Sequence, residues 1–329
     1  MQAWQVTRHA EPSEALRLSH SPLPSPTSSQ VLVRVGATAC NYADTLLCRG
    51  RYQVNPDMPF TPGLETCGVI ESVGRDAPAD LVGRRVLGQP VLPHGGFAEY
   101  ALMDAGTVIE VPEVIPDTEA ATLHLTYLTA WLALHRRTRM TRGDTVVVTS
   151  AAGGVGLAAS QLAMAGGAHL IAIVSGADKR AMLESQGVEF VIDRLEGDVV
   201  EKVRRLCPQG GADIVFESIG GDSYEQARRY VGFEGQIVVV GFASGTIPLA
   251  KLSHPFVKNY TIAGLHWNLY WQHQPNLVRQ AQSDIFTKAQ TGQIAPLISR
   301  AFDIEGVADA LGELASGRTH GKLVMTAPT

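Results

Sequence analysis

The sequence has few of the features that mark secreted, membrane or nucleic-acid-binding proteins. Four of its 329 residues are cysteine, namely Cys40, Cys48, Cys67 and Cys207. Their spacing matches no zinc motif, and a chain of this kind needs no disulfide framework. Charged residues make up 18% and the net charge is −5, so the basic excess that nucleic acid requires is missing. No apolar run has the length of a membrane-spanning helix. We expect neither a nucleic acid nor a membrane as partner.

A targeting segment is also missing at the start of the sequence. Residues 1–6 predict an edge strand and lack the basic stretch, apolar core and cleavage site of a signal peptide. A cytoplasmic location is therefore expected. What the sequence does have is 45% hydrophobic residues in a chain long enough for two domains with good cores.

A strand, a glycine turn and a helix start follow one another near the middle of the chain. The apolar strand 146–148 leads into TSAAGGVG (149–156), and a helical pattern follows at once. This order is typical of a dinucleotide-binding turn, where the N–H groups of a helix start bind a pyrophosphate. Cofactor contacts are expected at Ala152, Gly153, Gly154 and Val155. Because Ala151 replaces the first glycine of G-x-G-x-x-G, an ordinary strand-to-helix junction is the alternative.

The next predicted strand, 169–174, ends without an acidic residue. A site for NAD needs Asp or Glu there to bind the ribose 2′-OH. Ser175 and Lys179 would instead bind a 2′-phosphate, and Arg194, after the following strand, is a further candidate. The sequence thus predicts NADPH as the cofactor. The alternative is that Lys179 and Arg180 are solvated helix residues.

Strands and helices alternate over residues 123–267, which predicts an α/β fold with a doubly wound parallel sheet of the Rossmann type. Two later strands end at Ser218 and at Gly241 and Phe242. Ligands bind beyond the carboxyl ends of such strands, so these three residues are also predicted to contact the cofactor. Short strands rich in β-branched residues dominate the first 122 residues. With a final strand at 322–325, they predict a discontinuous, mainly β catalytic domain of residues 1–122 and 268–329.

Seven short motifs carry a resemblance to a known family. In chain order they are NYADT (41–45), GRY (50–52), PGLE (62–65), GGFAEY (95–100), LTAW (128–131), AAGGVG (151–156) and GKLV (321–324). Through them the whole chain resembles the zinc-free quinone oxidoreductases, zeta-crystallin among them, of the medium-chain dehydrogenase/reductase superfamily. The resemblance implies a GroES-like fold for the β domain. It also implies a homodimer joined through an edge strand near residues 260–265.

The resemblance bears on metal binding as well. Zinc alcohol dehydrogenases of this superfamily have a cysteine ligand where this chain has Asn41, and a histidine where it has Leu64, just before Glu65. An amide and a leucine cannot replace a thiolate and an imidazole. We therefore expect no metal. Without a Lewis acid, hydride has to go to an acceptor that is already electrophilic.

Five further site residues are implied by the resemblance. Asn41 and Tyr52 are expected near the nicotinamide. The Asn41 amide is expected to hold an oxygen of the cofactor or substrate, and the Tyr52 phenol to donate its proton to a developing oxyanion or to stack against a quinone. Asp44 is expected to orient its neighbours, and Thr129 to lie beside the nicotinamide carboxamide. Arg318 is expected to reach the adenosine phosphate. The alternatives are a structural aromatic at Tyr52, a turn-capping carboxylate at Asp44 and a threonine bonded to its own helix at Thr129.

These expectations favour an NADPH-dependent enzyme that reduces quinones by direct hydride transfer without zinc. An enone or enoyl-thioester reductase of the same fold is the first alternative. An NADPH-binding protein with a structural or sensing role is the second. The expected partner is a small-molecule quinone or enone. The sequence leaves open the physiological acceptor, one- or two-electron transfer, dimer or tetramer, and whether any side chain is an obligatory proton donor.

Overall fold

The computed structural model describes residues 1–327, which divide between two compact units. One unit consists of residues 1–125 and the segment from Pro296 onward, and the other of residues 126–295. The mainly β unit therefore consists of two separate segments of the chain. The chain returns to it at Pro296, however, and not at residue 268. Residues 328 and 329 of the predicted segment lie outside the described residues.

The strands of both units are given together in chain order. They are β1 (Gln2–Val6), β2 (Leu16–His20), β3 (Gln30–Ala39), β4 (Thr66–Val73), β5 (Arg85–Gly88), β6 (Tyr100–Asp104), β7 (Ile109–Glu110), β8 (Thr145–Val148), β9 (His169–Val174), β10 (Phe190–Asp193), β11 (Ala212–Glu217), β12 (Val231–Val239), β13 (Thr261–Gly264), β14 (Ile298–Phe302) and β15 (Lys322–Thr326).

The α-helices follow the same numbering. They are α1 (Pro12–Ala15), α2 (Tyr42–Cys48), α3 (Asp117–Ala120), α4 (Leu125–Trp131), α5 (Gly154–Ala165), α6 (Ala177–Ser185), α7 (Val199–Leu206), α8 (Asp222–Tyr230), α9 (Ser253–Lys258), α10 (Leu269–His273), α11 (Pro275–Gln290) and α12 (Val307–Ala315). Helix α4 continues into a π-helical segment, Leu132–Arg137. Short 3₁₀ segments occupy Ala79–Leu81 and Ile304–Gly306.

A six-stranded parallel sheet forms the centre of the second unit. Its strand order is β10-β9-β8-β11-β12-β13, which is the 3-2-1-4-5-6 order of doubly wound nucleotide-binding sheets. The strands are apolar because helices cover both faces, and Val147, Ile171, Val215 and Ile237 are fully buried in one core cluster. The predicted Rossmann-type sheet is confirmed. Its order reverses between β8 and β11, where ligands bind in sheets of this kind.

The first unit contains a seven-stranded, largely antiparallel sheet. Its order is β14-β15-β3-β4-β5-β7, with β6 also paired to β3, while β1 and β2 form a separate pair. The final strand β15 pairs with β3, as expected for a chain that rejoins its first domain. Helix α12 packs against α1 and α2 over a core that includes Phe60, Phe97 and Leu311.

Helix α11 explains why the second unit extends past residue 268. Its buried face includes Val278, Ala281 and Ile285, and the Asp284 carboxylate accepts a 2.7 Å hydrogen bond from the Trp131 indole of the same unit. These contacts keep the helix with the parallel sheet. Within residues 1–327, the structure has no helix whose length and apolarity would let it cross a membrane.

Candidate functional site

The glycine turn after β8 fits a pyrophosphate. The Gly153 N–H donates to the Ser150 carbonyl at 3.0 Å, and Gly153 is the N-cap of α5. The glycines therefore stand at the start of the helix, where backbone N–H groups lack partners within the helix. A Cβ on Gly156 would lie 2.2 Å from the Ser150 carbonyl oxygen, so only glycine fits there. Of the predicted residues, Ala152 and Gly153 lie in this turn, and Gly154 and Val155 are the first two residues of α5.

The ends of β8 and β11 are tied together at the point where the strand order reverses. The Ser218 N–H donates to Thr149 Oγ1 at 3.0 Å, and Ser218 Oγ donates to the Thr149 carbonyl at 3.3 Å. The loop after β12 joins them, because the Ala243 N–H donates to the Ser218 carbonyl at 3.0 Å. The structure thus brings Ser218 next to the loop that carries Gly241 and Phe242.

Glu217, which the sequence reasoning missed, shapes the turn after Ser218. Its fully buried carboxylate accepts hydrogen bonds of 2.8 Å from the N–H groups of Ile219 and Gly220 and from Ser223 Oγ. Burial raises the pKa of this carboxyl. An acidic residue directly after the apolar run 214–216, at the end of β11, was the signal that could have revealed it.

The predicted phosphate-binding residues meet at the carboxyl ends of β9 and β10. Lys179 lies in the first turn of α6, after Ser175, and Arg194 follows β10. Burial lowers the pKa of Lys179, and the positive charge of Arg194 lowers it further. Arg180 is directed elsewhere and forms a 2.7 Å ion pair with Glu196.

Asn41 and Asp44 lie at the start of α2 in the first unit, and both are buried. The Asp44 carboxylate accepts hydrogen bonds from the backbone N–H groups of Asn41 (2.9 Å), Gly63 (3.0 Å) and Leu64 (3.2 Å). Burial raises the pKa of Asp44 to about 7, although these three hydrogen bonds act to lower it. The carboxylate therefore links the 63–64 loop to the start of α2.

A buried ion pair lies beside Asn41. Lys322 Nζ donates to Asn41 Oδ1 at 2.7 Å and to Glu65 Oε2 at 3.2 Å. The Asn41 amide donates to the same Glu65 oxygen at 3.0 Å and to the Ala39 carbonyl at 3.2 Å. Glu65 Oε1 accepts the N–H groups of His124 (3.0 Å) and Leu125 (2.7 Å). Both amide hydrogens of Asn41 are used, so a contact with a cofactor or substrate through that amide would have to replace one of these bonds.

The remaining predicted site residues are spread over the two units. Tyr52 is half-buried against the core of the first unit, and burial, with the Asp44 charge, raises the pKa of its phenol. Thr129 is buried within α4. Arg318 lines a pocket of about 240 Å³ together with Arg300 and His320.

Two family models match this chain, one in each unit. The alcohol dehydrogenase GroES-like domain matches residues 27–113, and the zinc-binding dehydrogenase domain matches residues 154–283. Quinone oxidoreductase-like protein 2 of Bos taurus is 34% identical over 298 residues, covering 90% of this chain and 85% of the relative. The human protein named quinone oxidoreductase is 30% identical over 327 residues, covering 99% and 97%.

The chain belongs to the quinone oxidoreductase-like branch of the medium-chain dehydrogenase/reductase superfamily. A solved member of this branch, Escherichia coli quinone oxidoreductase complexed with NADPH, superposes with a TM-score of 0.91 at 25% identity. The match covers 99% of this chain and all of that one. The predicted combination of a Rossmann-type sheet and a GroES-like domain is therefore confirmed.

Although one of the matching models is named for zinc, the residues around Asn41 do not fit a zinc ion. Zinc prefers thiolate, imidazole and carboxylate ligands. Leu64 is instead part of the hydrophobic core, Asn41 presents an amide, and the Glu65 carboxylate already binds the Lys322 ammonium. No group of three or more His, Cys, Asp or Glu side chains suited to a metal occurs among residues 1–327.

Proposed function

We propose that this protein reduces quinones with NADPH, by direct hydride transfer and without zinc. The observation that carries the proposal is the buried set of Asn41, Glu65 and Lys322, because Asn41 stands where the resemblance places a cysteine ligand of the zinc enzymes and is bonded to an ion pair instead. An ammonium group next to this carboxylate disfavours a second cation. An acceptor such as a quinone needs no metal, since it takes up hydride and spreads the resulting charge onto oxygen.

The support for NADPH comes from the parallel-sheet unit. The Gly153 turn and the start of α5 would bind the pyrophosphate, while Ser175, Lys179 and Arg194 would bind the 2′-phosphate. Thr129, Ser218, Gly241, Phe242 and Arg318 are further proposed contacts. NADPH, when bound, supplies the hydride. The complex of the Escherichia coli relative with this cofactor supports the assignment.

Tyr52 is the proposed proton donor on the acceptor side. When hydride forms a bond to the quinone, an electron pair moves onto the quinone oxygen, and a proton neutralises it. Burial keeps the pKa of Tyr52 above its usual value, so the phenol remains protonated at neutral pH and can donate a hydrogen bond to that oxygen. Asp44 acts only indirectly, through the backbone that it orders.

The experiment that tests the reaction class is steady-state oxidation of NADPH against a panel of quinones and 2-alkenals, with NADH measured in parallel. We expect turnover with quinones and a preference for NADPH. Turnover of 2-alkenals or enoyl thioesters with inert quinones would replace the proposal by the enoyl reductase alternative. Tight NADPH binding without any turnover would indicate a structural or sensing role.

The Tyr52→Phe variant tests the proton donor. If the phenol donates in the transition state, kcat should fall while the Kd for NADPH stays unchanged, because only a hydroxyl is removed. Leu92→Ala is a matched control, since Leu92 packs against the same core without a polar group. An unchanged kcat would leave Tyr52 as a packing aromatic.

We further propose a homodimer, as expected from the edge strand. Strand β13 ends the parallel sheet, and the segment before it exposes apolar side chains, with Leu249 at 87%, Leu252 at 79% and Phe256 at 82% exposure. Exposed apolar clusters often mark protein interfaces. Sedimentation analysis should show a dimer that Phe256→Ser weakens. A monomer at micromolar concentration would contradict this.

A further inference from the structure

Asp193 occupies an unexpected place for an acidic residue. It is the last residue of β10, and the 2′-phosphate of NADPH is proposed to bind beside that strand end. A carboxylate at the end of the neighbouring strand β9 would select NAD by binding the ribose. Asp193, however, is buried, with 3% of its surface exposed.

One oxygen of Asp193 joins the turns after two adjacent strands. Asp193 Oδ1 accepts the Gly176 N–H at 3.0 Å, in the turn after β9, and the Leu195 N–H at 3.0 Å, in the turn after β10. A third bond, from the Arg194 N–H to the Val174 carbonyl at 3.0 Å, ties the same turns. The carboxylate therefore links the two turns just beyond the last residue pair of β9 and β10.

These turns carry the residues that we assign to the 2′-phosphate. Ser175 directly precedes Gly176, Lys179 lies three residues beyond it, and Arg194 lies between Asp193 and Leu195. Lys179 and Arg194 repel each other, since the Arg194 charge, after burial, lowers the pKa of Lys179. Arg194 is exposed and forms no ion pair within the part of the chain that the structure describes.

We propose that Asp193 is a positioning residue for cofactor selectivity, which clamps the turns after β9 and β10 so that Lys179 and Arg194 both reach the 2′-phosphate. The inference rests on the proposed preference for NADPH. The proposal assigns the carboxylate no contact with the cofactor, because its Oδ1 accepts the backbone N–H groups of Gly176 and Leu195. NADH, which has no 2′-phosphate, gains nothing from the clamp.

The test is direct titration of NADPH and NADH into wild type, Asp193→Ala and Asp193→Asn, with no acceptor present. Asp193→Ala should weaken NADPH binding about tenfold or more, the factor expected when a charge-assisted phosphate contact is lost. Its affinity for NADH should change less than about twofold. Asp193→Asn should rescue much of the preference, since its amide oxygen can still accept both N–H groups.

Asp198→Ala is a matched control. Asp198 also accepts two backbone N–H groups, from Val200 and Glu201, but it caps α7 and does not join the two turns. It should lower stability without changing the ratio of the two affinities.

Several outcomes would overturn the clamp. Equal weakening of NADPH and NADH by Asp193→Ala would leave only a structural role, and a larger loss for NADH would mean that Asp193 binds the ribose. Tighter NADPH binding would mean that its charge repels the phosphate. A wild type without preference would overturn the proposed cofactor and the clamp with it, whereas a preference that survives Asp193→Ala overturns the clamp alone. If Asp193→Ala does not fold, Asp193→Asn provides the test instead. Complete loss of the preference for NADPH in a folded Asp193→Asn would contradict the clamp, because its amide oxygen can still accept both N–H groups.

Discussion

At the scale of single residues, Lys322 has the largest expected effect on stability. It brings a positive charge into the interior of the first unit, where Glu65 and Asn41 accept its hydrogen bonds. Burying an ion pair costs desolvation, and the pair is stable only when every remaining donor and acceptor is satisfied. Glu65 meets this condition, with four donors around its two oxygens.

Lys322→Met should destabilise the protein by about 3–5 kcal/mol, because it leaves a buried carboxylate without its counter-ion. Urea unfolding followed by fluorescence measures this change. Lys251→Met, which removes an exposed lysine, should have little effect. The double variant Glu65→Gln/Lys322→Met should recover part of the loss. If Lys322→Met unfolds at the same urea concentration as wild type, the ion pair does not stabilise the fold.

Lys179→Ala should raise the Kd for NADPH and leave that for NADH nearly unchanged, because only NADPH has the 2′-phosphate. The loss of one charge-assisted contact corresponds to roughly 1.5–3 kcal/mol. Isothermal titration with both cofactors measures it. Arg180→Ala is the control, since Arg180 is paired with Glu196 and should not affect either affinity. Equal losses for both cofactors would show that Lys179 does not contact the phosphate.

At the scale of structural elements, the junction of β8 and α5 combines two different requirements for glycine. Gly156 is required by the fold, because a Cβ there would meet the Ser150 carbonyl oxygen at 2.2 Å. Gly153 has room for a Cβ, whose nearest contact would be 3.4 Å, and its φ of −81° suits any residue. If the pyrophosphate binds at this turn as proposed, a methyl group at Gly153 would instead obstruct its approach.

The two alanine variants should therefore differ. Gly156→Ala should lower stability by about 1–3 kcal/mol, since a backbone atom has to move. Gly153→Ala should melt close to wild type but bind NADPH more weakly. Thermal unfolding and cofactor titration on both proteins separate the effects. A stable Gly156→Ala or an unimpaired Gly153→Ala would contradict this account of the turn.

Local patterns were enough to predict the elements around the nucleotide turn. The apolar strand at 169–174, the glycine turn and the placement of Ser218 at a strand end all depend on residues that are neighbours in sequence. The ion pair of Lys322 with Glu65 joins residues 257 positions apart, and no local pattern specifies which buried groups will meet. A lysine at the start of an apolar strand was the available signal. Likewise, nothing in the amphipathic pattern of α11 says which unit its apolar face will join.

At the scale of the whole molecule, each unit contributes a separate part of the proposed chemistry. The parallel-sheet unit supplies the phosphate-binding turns, and the β unit supplies Tyr52 together with the buried set of Asn41, Glu65 and Lys322. In this account, the buried set takes the place of zinc ligands, so the protein has no Lewis acid. It therefore transfers hydride to acceptors that need none.

Metal content and quinone turnover, measured on one preparation before and after dialysis against a chelator, test this claim most directly. The account predicts far less than one zinc per chain by mass spectrometry, and an unchanged kcat with NADPH and quinone after chelation. About one zinc per chain, with turnover that chelation abolishes and added zinc restores, would contradict it.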